Sequence, residues 1–219
     1  MIVDTMTFDE IADYLNKTSF SKANFTAINQ EHIIPNEKKY RRAIIKWKQN
    51  PNHTEYKIFT PIISNGTCNE EWVFIPFAVN TNDQYFIIFN TFFYQGHRYV
   101  ALSSDDSDVV FFSWHSLRRY SERFLKEPNP TIDNEFIGEM LIYNSSFYRT
   151  TYTYKGKLSK MYVSTDGGFL CDEYQRCVVV NTFISANEYF SNQEQLDKDA
   201  FEVLKRAEKE AYGIWIRRA

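Results

Sequence analysis

Apolar residues follow a helical period in one part of this chain and form short aromatic and β-branched runs in others, and each pattern predicts a different kind of element. Within residues 37–48 they fall at i, i+3, i+4 and i+7, which is one face of a helix. Four more segments are predicted to be helical, and for one of them, 133–144, a strand is an open alternative. The predicted helices cover residues 7–16, 37–48, 113–126, 133–144 and 191–212.

Short runs of aromatic and β-branched residues, separated by turn residues such as Asn-Gly and Gln-Gly, predict strands. They form two groups, one before and one after the helix predicted at 113–126, and we expect an antiparallel meander from each. The predicted strands cover residues 55–63, 71–79, 84–94, 97–103 and 109–112 in the first group, and 146–154, 157–164, 167–171 and 176–185 in the second.

This order of elements predicts an α+β fold in which antiparallel sheets are flanked by helices. The chain would divide into an N-terminal α+β lobe at 1–108 and a C-terminal α+β lobe at 109–219. The second lobe would have the order helix, helix, four strands, helix. The polar segment at 104–110 could equally be a loop inside a single domain.

Composition narrows the range of partners. The 219 residues are 43% apolar and carry a net charge of −3, so no global positive field attracts nucleic acid. Contact with RNA would therefore depend on local basic patches. The N-terminus has no signal-peptide pattern, and polar residues interrupt the most apolar region, 71–94, before it could span a bilayer. We expect a cytoplasmic protein without a membrane partner, and the oligomeric state stays open.

The cysteines Cys68, Cys171 and Cys177 lack the spacing of a zinc site, and no other metal-binding or cofactor motif occurs. We therefore expect neither a metal nor a cofactor. Cys171 and Cys177 could face each other across a hairpin. Because disulfides are rare in the cytosol, two reduced thiols are the expected state.

The segment 113–126 is the part of the chain for which the sequence predicts a chemical function. Ser113 is a favourable N-cap residue, and Pro128 forces the helix to end. The core side of this helix, at about 100° per residue, is predicted to carry Leu117, Tyr120, Ser121 and Phe124.

The opposite side of the same helix is basic. His115, Arg119 and Arg123 are spaced i, i+4, i+8 and would form a stripe with steps of about 6 Å, the scale of one phosphodiester. A neutral imidazole near the helix start could accept a proton at neutral pH. Arginines offer planar, permanently charged donors to a phosphate or its transition state.

An ordinary solvated surface is the alternative interpretation of these residues. Arg118 and Glu122 are spaced i, i+4, and so are Glu122 and Lys126, which allows ion pairs along the helix. Repulsion between Arg119 and Arg123 would cost only about 0.2–0.5 kcal/mol. The stripe therefore does not by itself require a function.

The letters HSLRRYSER at 115–123 fit the motif H-x3-R-x2-[ER]-R. This motif resembles a helix of metal-independent endoribonucleases of the barnase/RelE-like toxin superfamily, and the resemblance covers residues 110–190. It implies helices packed on a four-stranded antiparallel sheet. It also implies cleavage of RNA by attack of a ribose 2′-hydroxyl on the neighbouring phosphorus, with RNA and a neutralising protein as partners.

The resemblance implies roles for individual residues. His115 would be the general base or acid, while Arg119 and Arg123 would stabilise the charged phosphorane. Glu122 would be a second proton carrier or would orient an arginine. The substrate would be contacted by Arg118, Thr182 and Ser185.

Three functions stay open on the sequence, and with them the question of whether the protein is an enzyme. The first is metal-independent RNA cleavage. The second is non-catalytic binding of RNA or an acidic protein through Arg118, Arg119 and Arg123. The third is a scaffold protein that performs no chemistry. The basic helix at 37–48 could add phosphate contacts, or it could be an ordinary solvated surface.

Overall fold

The structure is a computed structural model that describes residues 1–51, 56–65, 70–79, 84–103, 108–144, 148–154, 157–164, 166–185 and 217–218. In these residues helices flank a mostly antiparallel sheet, which confirms the predicted α+β class. The predicted helix at 191–212, Cys68 and most of the predicted boundary segment lie outside the described residues.

The described helices agree with the sequence pattern apart from the helix Lys22–Ile28, which the pattern did not predict, and two π-helical turns. One π turn, Asn29–Ile33, joins that helix to the helix Ile34–Lys48, and the other, Ser121–Leu125, directly follows the helix Trp114–Tyr120. The segment at 133–144 is a helix rather than a strand, with Asp133 as its N-cap. The α-helices are α1 (Phe8–Lys17), α2 (Lys22–Ile28), α3 (Ile34–Lys48), α4 (Trp114–Tyr120) and α5 (Asn134–Tyr143).

The described strands are β1 (Tyr56–Ile58), β2 (Ile62–Asn65), β3 (Glu70–Val79), β4 (Gln84–Tyr94), β5 (His97–Ser103), β6 (Val109–Ser113), β7 (Tyr148–Tyr154), β8 (Lys157–Val163), β9 (Gly167–Glu173), β10 (Cys177–Ser185) and β11 (Arg217–Arg218). They join in the order β1-β3-β4-β5-β6-β10-β9-β8-β7, with β2 also on β3 and β11 on β4. Among the described strands only β6 and β10 pair in parallel.

The single strand predicted at 55–63 is wrong in one respect, because the chain forms two short strands there, β1 and β2. Pro61 lies at the break, and Pro76 lies on β3 between the residues that pair with β1 and those that pair with β2. Proline has no N–H to donate to a ladder, so Pro76 can only accept a hydrogen bond here, which it does from the Phe59 N–H at 3.0 Å, and the regular ladder is interrupted.

Helices cover both faces of the sheet, because successive side chains of a strand point to opposite sides. On one face, Val73 and Ile75 of β3 pack in a cluster with Leu117 of α4 and with α5. On the other face, Phe74 packs with Tyr40 of α3. A separate cluster on that second face joins α1 to the centre of the sheet. We call the two sides the α4 face and the α3 face.

Strands from both predicted lobes belong to this one sheet. β6 pairs with β5 on one side and with β10 on the other. The cluster on the α4 face combines Val73 of the first half with Phe169 and Phe183 of the second half. The two predicted lobes therefore share a sheet and a core cluster, and the boundary at 108/109 stays a prediction.

The thiols are placed so that they cannot react with each other. Cys171 packs on the α4 face, whereas Cys177 packs on the α3 face, and both are buried. The two thiols therefore do not form a disulfide with each other.

Candidate functional site

The basic residues of the predicted site follow β6 without an intervening loop, because Ser113 ends the strand and caps α4. The Ser113 Oγ accepts a hydrogen bond from the Ser116 backbone N–H at 3.1 Å. The same Oγ lies 3.1 Å from the Asn181 carbonyl oxygen, to which it donates. The start of α4 is therefore fixed to β10, the parallel neighbour of β6.

The predicted α-helix over 113–126 is wrong beyond Tyr120. The chain continues as the π turn Ser121–Leu125, and Lys126 ends it in the left-handed region with φ 62°. A π turn accommodates one more residue between bonded groups than an α turn does. The side chains after Tyr120 are therefore rotated away from their expected positions, and Phe124 is 40% exposed instead of lying in the core.

Arg123 is diverted to the sheet as part of this change. Its Nη1 donates a hydrogen bond of 2.7 Å to the carbonyl oxygen of Phe183 on β10. This contact lies between Thr182, which is half-buried, and Ser185, which is buried. Arg123 thus reaches the part of β10 that sequence reasoning selected, but it binds the backbone there.

Arg118 and Arg119 converge on one carboxylate. Arg118 Nε lies 2.9 Å from Glu122 Oε1, and Arg119 Nη1 lies 2.9 Å from Glu122 Oε2. The hydrogen bond from Arg118, followed by the charges of both arginines, holds the pKa of Glu122 below its usual value. Glu122 is therefore ionised at neutral pH. We call Arg118, Arg119 and Glu122 the arginine clamp.

His115 lies in the first turn of α4 and is exposed. The contacts described above join Arg118 and Arg119 through Glu122, and they join Arg123 to Phe183. The structure thus brings together two of the predicted arginines with the glutamate, and it places Arg123 with β10 instead.

Sequence reasoning missed a second arginine contact next to this site. The guanidinium carbon of Arg98 lies 4.4 Å from the centre of the Trp114 ring, and Arg98 Nη2 lies 3.5 Å from Glu71 Oε2. Trp114 begins α4 and is one turn before Arg118. These residues come from β3, β5 and α4, so only the pairing of the strands could have revealed the contact.

A buried polar network was also missed. The Tyr120 hydroxyl donates to Asp166 Oδ2 at 2.5 Å, and the Asn144 amide donates to the same oxygen at 3.1 Å. Burial, followed by the negative charge of Asp166, raises the pKa of Tyr120 well above its usual value. The only sequence signal was the core position of Tyr120, because a buried hydroxyl needs a partner.

The basic helix predicted at 37–48 is part of α3 and lies on the α3 face. The clamp belongs to α4 and the π turn that follows it, and α4 lies on the other side of the sheet. The two basic surfaces are therefore separated by the sheet, and α3 cannot extend the surface that α4 presents.

Comparison of the chain with protein-family models, curated proteins and solved structures finds no match. The resemblance to the endoribonuclease superfamily stays a prediction. Within the described ranges, no group of three His, Cys, Asp or Glu side chains could hold a metal ion. No helix in the described part of the chain is long and apolar enough to cross a membrane.

Proposed function

We propose that this protein binds single-stranded RNA without cleaving it, and that Arg118 and Arg119 contact the phosphate backbone. The arginine clamp is the observation that carries the proposal. A guanidinium has five N–H donors, and Glu122 engages one nitrogen of each arginine. Among the described residues no other contact engages these two guanidinium groups, so their remaining donors can reach phosphate oxygens, while the carboxylate limits the motion of both side chains.

Fixed arginines favour a phosphate ligand over a diffuse acidic protein surface. The planar guanidinium fork matches two phosphate oxygens, and a preorganised fork loses less side-chain entropy on binding than a free one. Arg98 on Trp114 adds a stacked cation and ring beside the clamp. Unpaired bases stack on such groups, which supports a single-stranded ligand rather than a duplex.

Two contacts favour binding over catalysis. Because its pKa is lowered by the two arginines, Glu122 is ionised at neutral pH, so it carries no proton to donate and is only a weak base. Arg123 already donates to a strand carbonyl. Stabilisation of a phosphorane requires donors aimed together at the reacting group. RNA cleavage, as the superfamily resemblance implies, stays a prediction that the same experiment tests.

The test measures the anisotropy of a labelled single-stranded RNA between about 50 and about 200 mM salt, in EDTA. With about two phosphates neutralised, the logarithm of the association constant should fall with a slope of about −1.4 against log salt. The double variant Arg118→Gln/Arg119→Gln should abolish this slope and weaken binding. The variant Arg118→Lys/Arg119→Lys should keep the slope but lose part of the affinity, since it keeps the charge without the fork.

The double variant Lys17→Gln/Lys22→Gln is the charge-matched control, because both lysines are exposed and lie outside α4. It should bind RNA as the parent does. Salt-independent binding, or unchanged binding by Arg118→Gln/Arg119→Gln, would contradict the proposal. Cleavage in EDTA that is lost in His115→Ala would replace it with the catalytic function.

A further inference from the structure

A second basic surface lies on α3, on the outward side of the helix. Its buried side is formed by Tyr40 and Ile44. The outward side carries exposed cations together with exposed isoleucines. We call it the α3 surface, and it consists of Ile34, Lys38, Lys39, Arg42, Ile45 and Lys46.

The isoleucines are aligned along the helix. Ile34 and Ile45 are 59% and 53% exposed. Eleven residues of α-helix bring them back to within about 20° around the axis and separate them by about 16 Å along it. Lys38 lies between them on the same line. The helix therefore presents two apolar side chains outward, with positive charge between and beside them.

The described residues of the fold do not neutralise the cations of this surface. Arg41 pairs with Glu37 at 3.0 Å. Within the part of the chain that the structure describes, Lys38, Lys39, Arg42 and Lys46 form no ion pair. A positive patch of this kind attracts a partner with several negative charges.

We propose that the α3 surface docks on a membrane surface that contains anionic lipid. The exposed isoleucines are the reason to prefer lipid over RNA, because a phosphate backbone offers them no apolar contact. They can enter the boundary between headgroups and acyl chains when the helix lies flat on the bilayer. Lysine stems pack along apolar surface while their ammonium groups stay at the headgroups.

The chemistry of the cations supports the same occupant. Three of the four are lysines, which are flexible, strongly hydrated point charges rather than rigid forks. Such charges suit a fluid array of headgroups, whereas the arginine clamp suits a defined phosphate. The proposal is independent of the RNA-binding proposal, since the two surfaces lie on opposite faces of the sheet.

The test is co-sedimentation of the full chain with vesicles of phosphatidylcholine alone or with about 30% phosphatidylserine. We expect binding only to the anionic vesicles, weakening as salt rises. Each cation near such a surface changes the partition coefficient about fivefold, so Lys38→Gln/Arg42→Gln should weaken binding on the order of 20-fold. Ile34→Ser/Ile45→Ser should weaken it about tenfold, because it removes the inserted apolar groups.

The charge-matched control is Arg118→Gln/Arg119→Gln, which removes two cations from the other face and should sediment with vesicles as the parent does. All variants should retain the circular dichroism spectrum of the parent. Equal binding to neutral and anionic vesicles would overturn the proposal, as would unchanged binding by Ile34→Ser/Ile45→Ser. A Lys38→Gln/Arg42→Gln variant that sediments normally but loses RNA affinity would identify a nucleic-acid surface instead.

Discussion

Tyr120 brings a hydroxyl into the middle of an aromatic cluster, where it is 1% exposed. Its ring contacts Phe169 and Phe183 of the sheet. The hydroxyl donates to Asp166, which is itself almost fully buried. One side chain therefore joins the apolar packing of α4 to the polar network that holds the start of β9.

The variant Tyr120→Phe should lower the free energy of unfolding by about 1–3 kcal/mol, because it leaves the buried Asp166 carboxylate without the tyrosine hydroxyl. Urea denaturation followed by fluorescence measures the change. Tyr174→Phe is the control, since Tyr174 is 46% exposed and should lose less than about 0.5 kcal/mol. Equal losses in the two variants would contradict a stabilising role for the network.

The pH dependence of this effect has a definite sign. Burial raises the pKa of Tyr120 in the folded protein, whereas the unfolded chain has the usual value of about 10. The stabilisation by the Tyr120 hydroxyl is therefore complete below a pH of about 10 and is lost as the pH rises further, because Tyr120 ionises first in the unfolded chain. The stability difference between the parent and Tyr120→Phe should shrink above pH of about 10. A difference that stays constant up to pH of about 11 would contradict the assignment.

Sequence reasoning gave the position of Tyr120 on the core side but not its partner. Asp166 is 46 residues away along the chain, in a turn whose composition predicts only a turn. Their contact depends on how α4 packs on β9, which a periodic pattern does not determine. Leu117, Tyr120 and Ser121 are buried as predicted, and Phe124 is not.

At the scale of elements, the π turn after α4 decides which basic residues can act together. A strict helical period places Arg123 in line with His115 and Arg119, and the π turn instead brings it to β10. Local sequence patterns do not distinguish a π turn from an α turn, because both are built from helical φ and ψ. The wrong predicted position of Arg123 and the wrong predicted burial of Phe124 therefore have the same origin, which is the π turn.

Arg123→Gln tests this account. It removes the hydrogen bond to the Phe183 carbonyl, so the free energy of unfolding should fall by about 1–2 kcal/mol. RNA affinity should change less than it does in Arg119→Gln, because Arg119 belongs to the clamp. Measuring both quantities on both variants separates the roles. A larger loss of RNA affinity in Arg123→Gln than in Arg119→Gln would indicate that Arg123 contacts the RNA.

A glycine sets the packing between β9 and β10. A Cβ added to Gly167 would lie 2.2 Å from the carbonyl oxygen of Ile184, which is backbone and cannot rotate away. Gly167→Ala should therefore destabilise the fold by about 1–3 kcal/mol in thermal or urea unfolding. At Gly96, where φ is 76° and nothing lies within 4 Å, the change to alanine should cost only about 1 kcal/mol of backbone strain. A smaller loss at Gly167 than at Gly96 would contradict the close approach.

At the scale of the molecule, the parallel pairing of β6 with β10 joins the two groups of strands into one sheet. Runs of aromatic and β-branched residues predicted the antiparallel pairing within each group, although the strand predicted at 55–63 is split in two. They could not predict which strands become neighbours across the two groups, because pairing between strands distant in sequence depends on long-range packing. The single sheet is therefore visible only in the structure.

This topology makes the halves dependent on each other. A fragment of residues 1–108 would expose the edge of β5, and a fragment of residues 109–219 would expose the edge of β6 that pairs with β5. We expect each fragment alone to aggregate or to give an NMR spectrum with poor chemical-shift dispersion. The two fragments, when co-expressed, should form a folded complex. A well-dispersed spectrum from either fragment alone would support two independent lobes.

The placement of Cys171 and Cys177 on opposite faces also gives the molecule two internal reporters. Each thiol is shielded by a different helical layer, so a thiol-reactive reagent can reach it only when that layer detaches. In a Cys68→Ser background, the two labelling rates would time the opening of each layer separately. Equal rates would mean that both layers leave the sheet in one concerted event.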